Sequence, residues 1–332
     1  MQRFVNQPDM IVDDMLKGYA KAYKDLIHIS EENDHVVVLN DKVKGKVGVV
    51  SGGGSGHEPC FLGYVGKNML DAVAVGEVFS SPPATAFHQA FLEADNGAGV
   101  ACLFGNYAGD NMNVKMAVQM AAMDGVNVKY VTANDDVASA PKQEAERRHG
   151  IAGGLFMWKI GCAMAAKGGS LDEVINIAQE AVNQTRSICV GLKPCSIPAV
   201  GHPNFEIADG TMEYGIGHHG EPGIVVEDLK SAKEIAEKLA NYIQDDLELK
   251  DGEEIAIIVS GLGATPIMEL YVLYDEIENY FNKLNVSVYK SFVGNYVTSL
   301  EMNGAALTVM RVKDEFKELL DLEVESPALT TR

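Results

Sequence analysis

Basic residues are scarce in this sequence. Lysine and arginine total 27 against 47 aspartates and glutamates, which leaves a formal net charge of −20. A surface of that sign repels both a phosphate backbone and an anionic bilayer, so neither nucleic acid nor a membrane is expected as a partner. A small ligand is not excluded, because a binding site is local. Cysteine is equally sparing: Cys60, Cys102, Cys162, Cys189 and Cys195 are odd in number and include no C-x-x-C pair. That is neither a disulfide framework nor a zinc pattern, and it fits free thiols in a reducing compartment. No apolar run reaches the ~20 residues that span a bilayer. The opening MQRFVNQPDMIVDD has no apolar core of a signal peptide. A soluble, cytoplasmic protein is expected. Low-complexity segments and long linkers are also missing.

What is present is an ordinary globular composition, 47% hydrophobic over 332 residues, long enough for two domains. Short β-branched runs alternate with amphipathic stretches. Strands are read at 35–39, 46–50, 99–105 and 126–132, and helices at 9–26, 84–94, 111–125, 153–167 and 170–184. The second half reads as strands at 187–192, 254–259, 286–291 and 306–312, with helices at 230–246, 268–283 and 313–321. This alternation implies an α/β protein of two α/β domains, each with a mainly parallel or mixed sheet flanked by helices. The boundary is placed at 184/185, giving domains 1–184 and 185–332. Each half carries an apolar strand ending in Ser-Gly-x-Gly, VVSGGG at 49–54 and IVSGLG at 258–263, a hint of related domains.

Three clusters carry candidate chemistry. In VVSGGGSGHEP (49–59) four glycines precede His57 and Glu58. This is no Walker A loop, since no Gly-Lys-[Ser/Thr] follows, and a dinucleotide G-x-G-x-x-G fails at His57. The glycines can present backbone N–H groups to a ligand oxygen, with His57 as general acid/base; the plain alternative is a tight turn with a surface histidine. The second cluster, MEYGIGHHGEPGI (212–224), holds two adjacent histidines before Gly-Glu-Pro-Gly. In the third, NYAGDNMN (106–113), Asp110 is either a helix N-cap or a carboxylate aimed into the cleft at the strand ends. Met112, Met116, Met120 and Met123 read as a core stripe. Asn134, Asp135 and Asp136 read as a turn. His149, beside Arg147 and Arg148, reads as solvated surface.

SGGGSGHEP, GYVG (63–66), GEVFSSPP (76–83), NYAGD (106–110), GIGHHGEPG (215–223), GLGATPIMELY (261–271) and VGNYVTSLEMNG (293–304) follow one another in the order found in one family. From end to end the chain resembles the substrate-binding (K) subunit of dihydroxyacetone kinases. The resemblance implies covalent capture of a short ketose as a hemiaminal on His219, supplied by the second domain. It implies substrate contacts from Gly54, Ser55, Gly56, His57 and Ser81, and a general base at Asp110. It implies a homodimer and a separate nucleotide-bearing L subunit that carries ADP or ATP with Mg²⁺. This chain itself is expected to bind no nucleotide or metal, and to be a stand-alone subunit. The phosphoryl donor is then ATP or a phosphohistidine chain of the sugar phosphotransferase system. A non-catalytic paralogue that senses ketose and coactivates a transcription regulator is the alternative; the presence of Asp110 and His57 favours the enzyme. One position departs from the better-known members: Gly105 stands where they have a lysine, which opens the pocket and admits a four-carbon ketose such as erythrulose beside dihydroxyacetone.

Overall fold

The computed structural model describes residues 2–203 and 205–331. It consists of two compact units that are interleaved in sequence. The first comprises the chain up to residue 133, 157–180, and the chain from 318 on; the second comprises 134–156 and 181–317. Compact units and contiguous halves therefore differ: a cut at 184/185 divides the sequence, whereas the chain passes between units four times. Among the described residues no helix is long and apolar enough to cross a membrane.

In the first unit, α1 (Ile11–Ala22) precedes β1 (Ile27–Ile29), β2 (Val36–Leu39), β3 (Gly48–Ser55) and β4 (Ala72–Val78). Then follow α2 (Ala84–Ala94), β5 (Val100–Gly105), α3 (Ala108–Met123) and β6 (Val128–Ala133). The strands form one sheet in the order β1-β2-β4-β3-β5-β6. β4, β3, β5 and β6 run parallel, while β2 lies antiparallel to both β1 and β4. β2 and most of β5 are buried throughout, as their unbroken apolar runs require. α2 covers the sheet with Ala86, Phe87, Ala90, Phe91 and Ala94, spaced to lie on one helical face. β4 escapes the sequence reading because AVAVGEV shows no alternation of polar and apolar residues.

α3 corrects an expectation. Met112, Met116 and Met123 are exposed, Met123 by 81%; Val114, Ala117 and Ala121 face the core instead. Small residues on the sheet side allow close packing, so these three methionines turn outward, while Met120 is partly buried and packs against the core as expected.

α4 (Gly154–Ala166) and α5 (Leu171–Asn183) follow β6. The second unit then contributes β7 (Thr185–Lys193), β8 (Thr211–Tyr214), β9 (Val225–Asp228), α6 (Ala232–Leu247) and β10 (Glu254–Gly261). α7 (Ile267–Lys283), β11 (Ser287–Gly294) and β12 (Asn303–Arg311) follow in it, α8 (Asp314–Asp321) runs from the second unit into the first, and the small hairpin β13 (Val324–Glu325) and β14 (Thr330–Thr331) belongs to the first. The second sheet has the order β11-β10-β12-β7-β8-β9. Only β10 and β11 pair in parallel; every other neighbour is antiparallel. IVSGLG in β10 and VVSGGG in β3 thus have different strand neighbours, and the hinted kinship of the halves finds no support in topology. α6 starts at a capping box, in which Ser231 accepts from the Glu234 backbone and Glu234 reaches back to the Ser231 N–H. Its Leu239, Ile243 and Leu247 join Leu273, Ile277 and Phe281 of α7 in one core.

Candidate functional site

The glycine-rich stretch is a strand rather than a loop. Gly52, Gly53 and Gly54 pair with Ala74, Val75 and Gly76 of β4. A Cβ on Gly52 would collide with Phe87, one on Gly53 with the Phe61 ring, and one on Gly54 would lie 2.8 Å from the Ser80 nitrogen. Close approach, not a run of left-handed conformations, is what demands glycine here. Only Gly56 has a positive φ, 100°, and its N–H is spent on Glu58 Oε2 at 2.9 Å.

β3 is nevertheless where a ligand is expected. It pairs with β5 only from Gly48 to Val50, whereas its pairing with β4 continues to Ser55. Chain connections leave β3 to β4 on one side and reach β5 on the other, so the crevice at the carboxyl ends of β3 and β5 is the topological switch point of a parallel sheet. Ser55, Gly56 and His57 follow β3; Gly105 ends β5, and Asp110 lies in the first turn of α3. The N-cap of α3 is Tyr107, so Asp110 does not cap the helix; its carboxylate sits near the helix N-terminus, whose dipole favours negative charge. Ser81 Oγ donates to Asp110 Oδ2 at 2.6 Å, and a Cβ at Gly109 would lie 2.6 Å from that hydroxyl. Ser55 Oγ is tied to the Gly76 carbonyl at 2.7 Å. His57 is 6% exposed and stacks on Phe79, with ring centroids 5.1 Å apart; Asp110 is 8% exposed. The surface-histidine alternative for His57 is thereby removed. Ser81 and Asp110 are joined directly, while Gly54, Ser55, Gly56 and His57 share the end of β3.

His219 belongs to the second unit, in the 215–224 turn between β8 and β9. That turn is closed by Gly217 N–H to the Glu221 carbonyl and by Gly220 N–H to the Gly217 carbonyl. Gly220 has φ 84°, where a side chain would also strike the Phe205 ring. The two histidines of the tandem face different surroundings. His218 is buried at 3% exposure, and burial followed by the neighbouring His219 brings its pKa down to about 4, so its imidazole is neutral at physiological pH. Its backbone carbonyl accepts a hydrogen bond from Ser299 Oγ, which also lies 3.6 Å from Cys195 Sγ. His219 is partly exposed. Glu221 Oε1 lies 2.8 Å from His219 Nδ1, and Glu221 Oε2 accepts the His219 backbone N–H at 2.9 Å. Burial raises the Glu221 carboxyl, but its hydrogen bonds with the His219 ring and backbone and the electrostatic influence of that ring outweigh burial and bring it down to about 2.

Several residues of this neighbourhood escape sequence reasoning. Ser299 lies far along the chain, and nothing in VTSLEM marks it as an anchor. His149 is not solvated surface: it is half-buried, and its pKa is lowered first by burial, with Glu221 and His219 acting on it as well. Arg148 is 2% exposed and donates twice to Asp246, at 3.0 and 2.7 Å. Asp135 accepts the backbone N–H groups of Ile151 and Gly153 at 3.2 and 2.9 Å, which fits the expected structural role of the 134–136 stretch.

The chain matches the Dak1 domain family over residues 17–328. It is 39% identical to the dihydroxyacetone-binding subunit DhaK of a PTS-dependent dihydroxyacetone kinase of Listeria innocua, over 99% of this chain and 100% of that protein. It is 36% identical to the L-erythrulose 1-kinase of Mycolicibacterium smegmatis, over 99% of this chain and 58% of that longer protein. Among solved structures, the dihydroxyacetone kinase operon co-activator DhaQ superposes with a TM-score of 0.90 at 31% identity, covering 96% of this chain and 98% of that one. The order of the motifs, the two six-stranded sheets and these likenesses agree, and the chain belongs to the Dak1 family.

Proposed function

We propose that this chain is the ketose-binding subunit of a dihydroxyacetone-type kinase. In this reading it holds a short ketose as a hemiaminal on His219 and presents a terminal hydroxyl for phosphorylation by a nucleotide-bearing partner subunit. The observation that carries the reading is the likeness, across 99% of this chain, to a dihydroxyacetone-binding subunit matched over its whole length. A neutral imidazole is a competent nucleophile toward a ketone at physiological pH. Covalent capture holds a small, weakly binding substrate and rejects glycerol, which has no carbonyl. Asp110 takes the proton of the hydroxyl as the phosphoryl group arrives, with Ser81 fixing its carboxylate. His57 hydrogen-bonds the substrate, beside Gly54, Ser55, Gly56 and Gly105. Positioning accounts for much of the remaining rate in phosphoryl transfer. ATP and Mg²⁺ belong to the partner, and the chain acts as a homodimer in the cytoplasm.

Asp110 separates this reading from that of a ketose-sensing coactivator, since sensing needs capture but no base. Asp110→Asn is expected to capture dihydroxyacetone as the wild type does and to transfer phosphate ~10²–10⁴-fold more slowly with a nucleotide-bearing partner subunit and ATP. Capture is read by intact-protein mass spectrometry, transfer by a coupled assay. Undiminished transfer in Asp110→Asn removes the base from the scheme. Wild type that captures ketose yet transfers nothing with such partners makes the sensor the better reading. An adduct that survives His219→Ala removes the covalent role of His219.

A further inference from the structure

The carboxylate of Glu221 meets His219 twice, and the two contacts have different consequences. One oxygen accepts the His219 backbone N–H and so fixes the turn. The other lies 2.8 Å from the ring Nδ1. An ionised carboxylate can only accept, so the proton of that bond sits on Nδ1. A neutral imidazole protonated at Nδ1 carries its basic lone pair on Nε2. The turn is shaped around this carboxylate: any Cβ on Gly217 would run into Glu221 Oε2. Ser299 holds the carbonyl of that same His218–His219 peptide, so the main chain leading into the ring's residue is fixed by both partners.

We infer that Glu221 is the positioning residue of the capture step: it sets the tautomer that makes Nε2 of His219 the nucleophile and neutralises the ring as the adduct forms. The inference rests on the reading of His219 as the capturing residue. The step balances as follows. The Nε2 lone pair forms a bond to the ketone carbon, and the C=O π pair moves onto oxygen, which takes a proton from solvent. The ring, now substituted at Nε2 and protonated at Nδ1, is a cation facing the carboxylate. Its Nδ1 proton leaves through Glu221 to solvent, giving a neutral N-substituted imidazole and a hydroxyl. One proton arrives and one departs. Reversal needs the same proton back at Nδ1, so Glu221 serves release as well as capture.

Glu221→Gln tests this, because the amide has one acceptor oxygen for two donors. Histidine labelled with ¹⁵N reports the tautomer, and [2-¹³C]dihydroxyacetone reports capture as its carbon passes from the ketone to the tetrahedral region. Wild type is expected to show the Nδ1–H tautomer and rapid capture. Glu221→Gln and Glu221→Ala are expected to move His219 toward the Nε2–H form and to slow capture ~10–100-fold, in line with losses of groups that orient a working histidine. Ser299→Ala, which loosens the turn without touching the ring, is expected to leave the tautomer in place. Unchanged tautomer and capture rate in both Glu221 variants, with the wild type still forming the adduct, overturns the role of Glu221 alone. The same slowing in Ser299→Ala, with no tautomer change in any variant, reduces Glu221 to a turn anchor and also overturns it. Absence of any His219 adduct in wild type overturns the capture reading and this inference together.

Discussion

At Gly105 a single absent side chain sets an expectation about substrate. The residue ends β5, partly buried and paired with Ala133 of β6, at the strand end where the crevice opens. A lysine at this position, as in better-known family members, would bring a cation and a four-carbon stem to that end. On the proposed reading of this chain as a ketose-binding subunit, its absence is expected to admit one more carbon and its hydroxyl. Discrimination by about one methylene is worth ~1–3 kcal/mol, a preference rather than an exclusion. Erythrulose is therefore expected to match or exceed dihydroxyacetone in kcat/KM, and Gly105→Lys to swing the ratio toward the three-carbon ketose by tenfold or more. Competition between the two ketoses measures it; strong wild-type selectivity for dihydroxyacetone, unmoved by the substitution, separates Gly105 from substrate length. Residues of this kind are legible because they stand inside short, ordered motifs. His57, Asp110 and His219 are candidates on that ground, and of the adjacent pair it is His219 that is partly exposed while His218 is buried. The tie from Ser299 to His218 could not be read, because a hydrogen bond between residues 81 apart leaves no local pattern.

At the scale of the element, glycines show where sequence reading stops. SGGGSG suggested a flexible cradle, yet Gly52 to Gly54 lie in a strand and Gly76 in its neighbour. Flexibility and close packing demand the same residue, and only the neighbours distinguish them. A Cβ on Gly76 would collide with the Ser80 carbonyl and lie 2.9 Å from the Pro82 nitrogen. Both are backbone atoms, and they lead directly into Ser81. Gly18, in the middle of α1, has nothing within 4 Å of its Cβ position. The same chemical change should then have opposite signs. Gly76→Ala is expected to destabilise by ~1–3 kcal/mol through overpacking. Gly18→Ala is expected to stabilise by ~0.5–1 kcal/mol through helix propensity and a less free unfolded chain. Urea unfolding of both variants decides it, and a neutral Gly76→Ala would mean that the 79–82 backbone yields easily. The helices of α/β character and most strands followed from periodicity. β4 and the antiparallel majority of the second sheet did not, since strand direction is set by partners distant in sequence rather than by the run itself.

For the whole molecule, stability against pH gathers contributions that no local pattern reveals. Two buried groups of the second unit titrate in opposite senses. His218 is held down to about 4 by burial and then by His219. Its unfolded value is ~6.5, so its contribution is complete above that pH and is lost as pH falls toward 4. Asp136 is pushed up to about 7, first by burial, with Asp135 also raising it while the Ala138 N–H and Arg148 act the other way. Its unfolded value is ~3.9, so its contribution is complete below that pH and is lost as pH rises through 7. Between about pH 4 and 6.5 the two slopes oppose each other, and above ~6.5 only the loss at Asp136 continues. The net charge of −20 adds self-repulsion, which changes little above about pH 5.5, where the ordinary carboxylates are already ionised. Asp136→Asn keeps the oxygen that accepts the Ala138 N–H at 3.0 Å and removes the titration. The variant is expected to gain stability relative to wild type as pH rises from 5 to 8, by an amount on the order of 1–3 kcal/mol. With that loss removed, its own curve should rise toward about pH 6.5 more than the wild type's, His218 and His149 both acting in that direction. Urea unfolding at several pH values gives both curves. A difference between variant and wild type that stays constant from pH 5 to 8 would mean that Asp136 is already ionised in the folded protein, and that Arg148 and the surrounding N–H groups prevail over its burial.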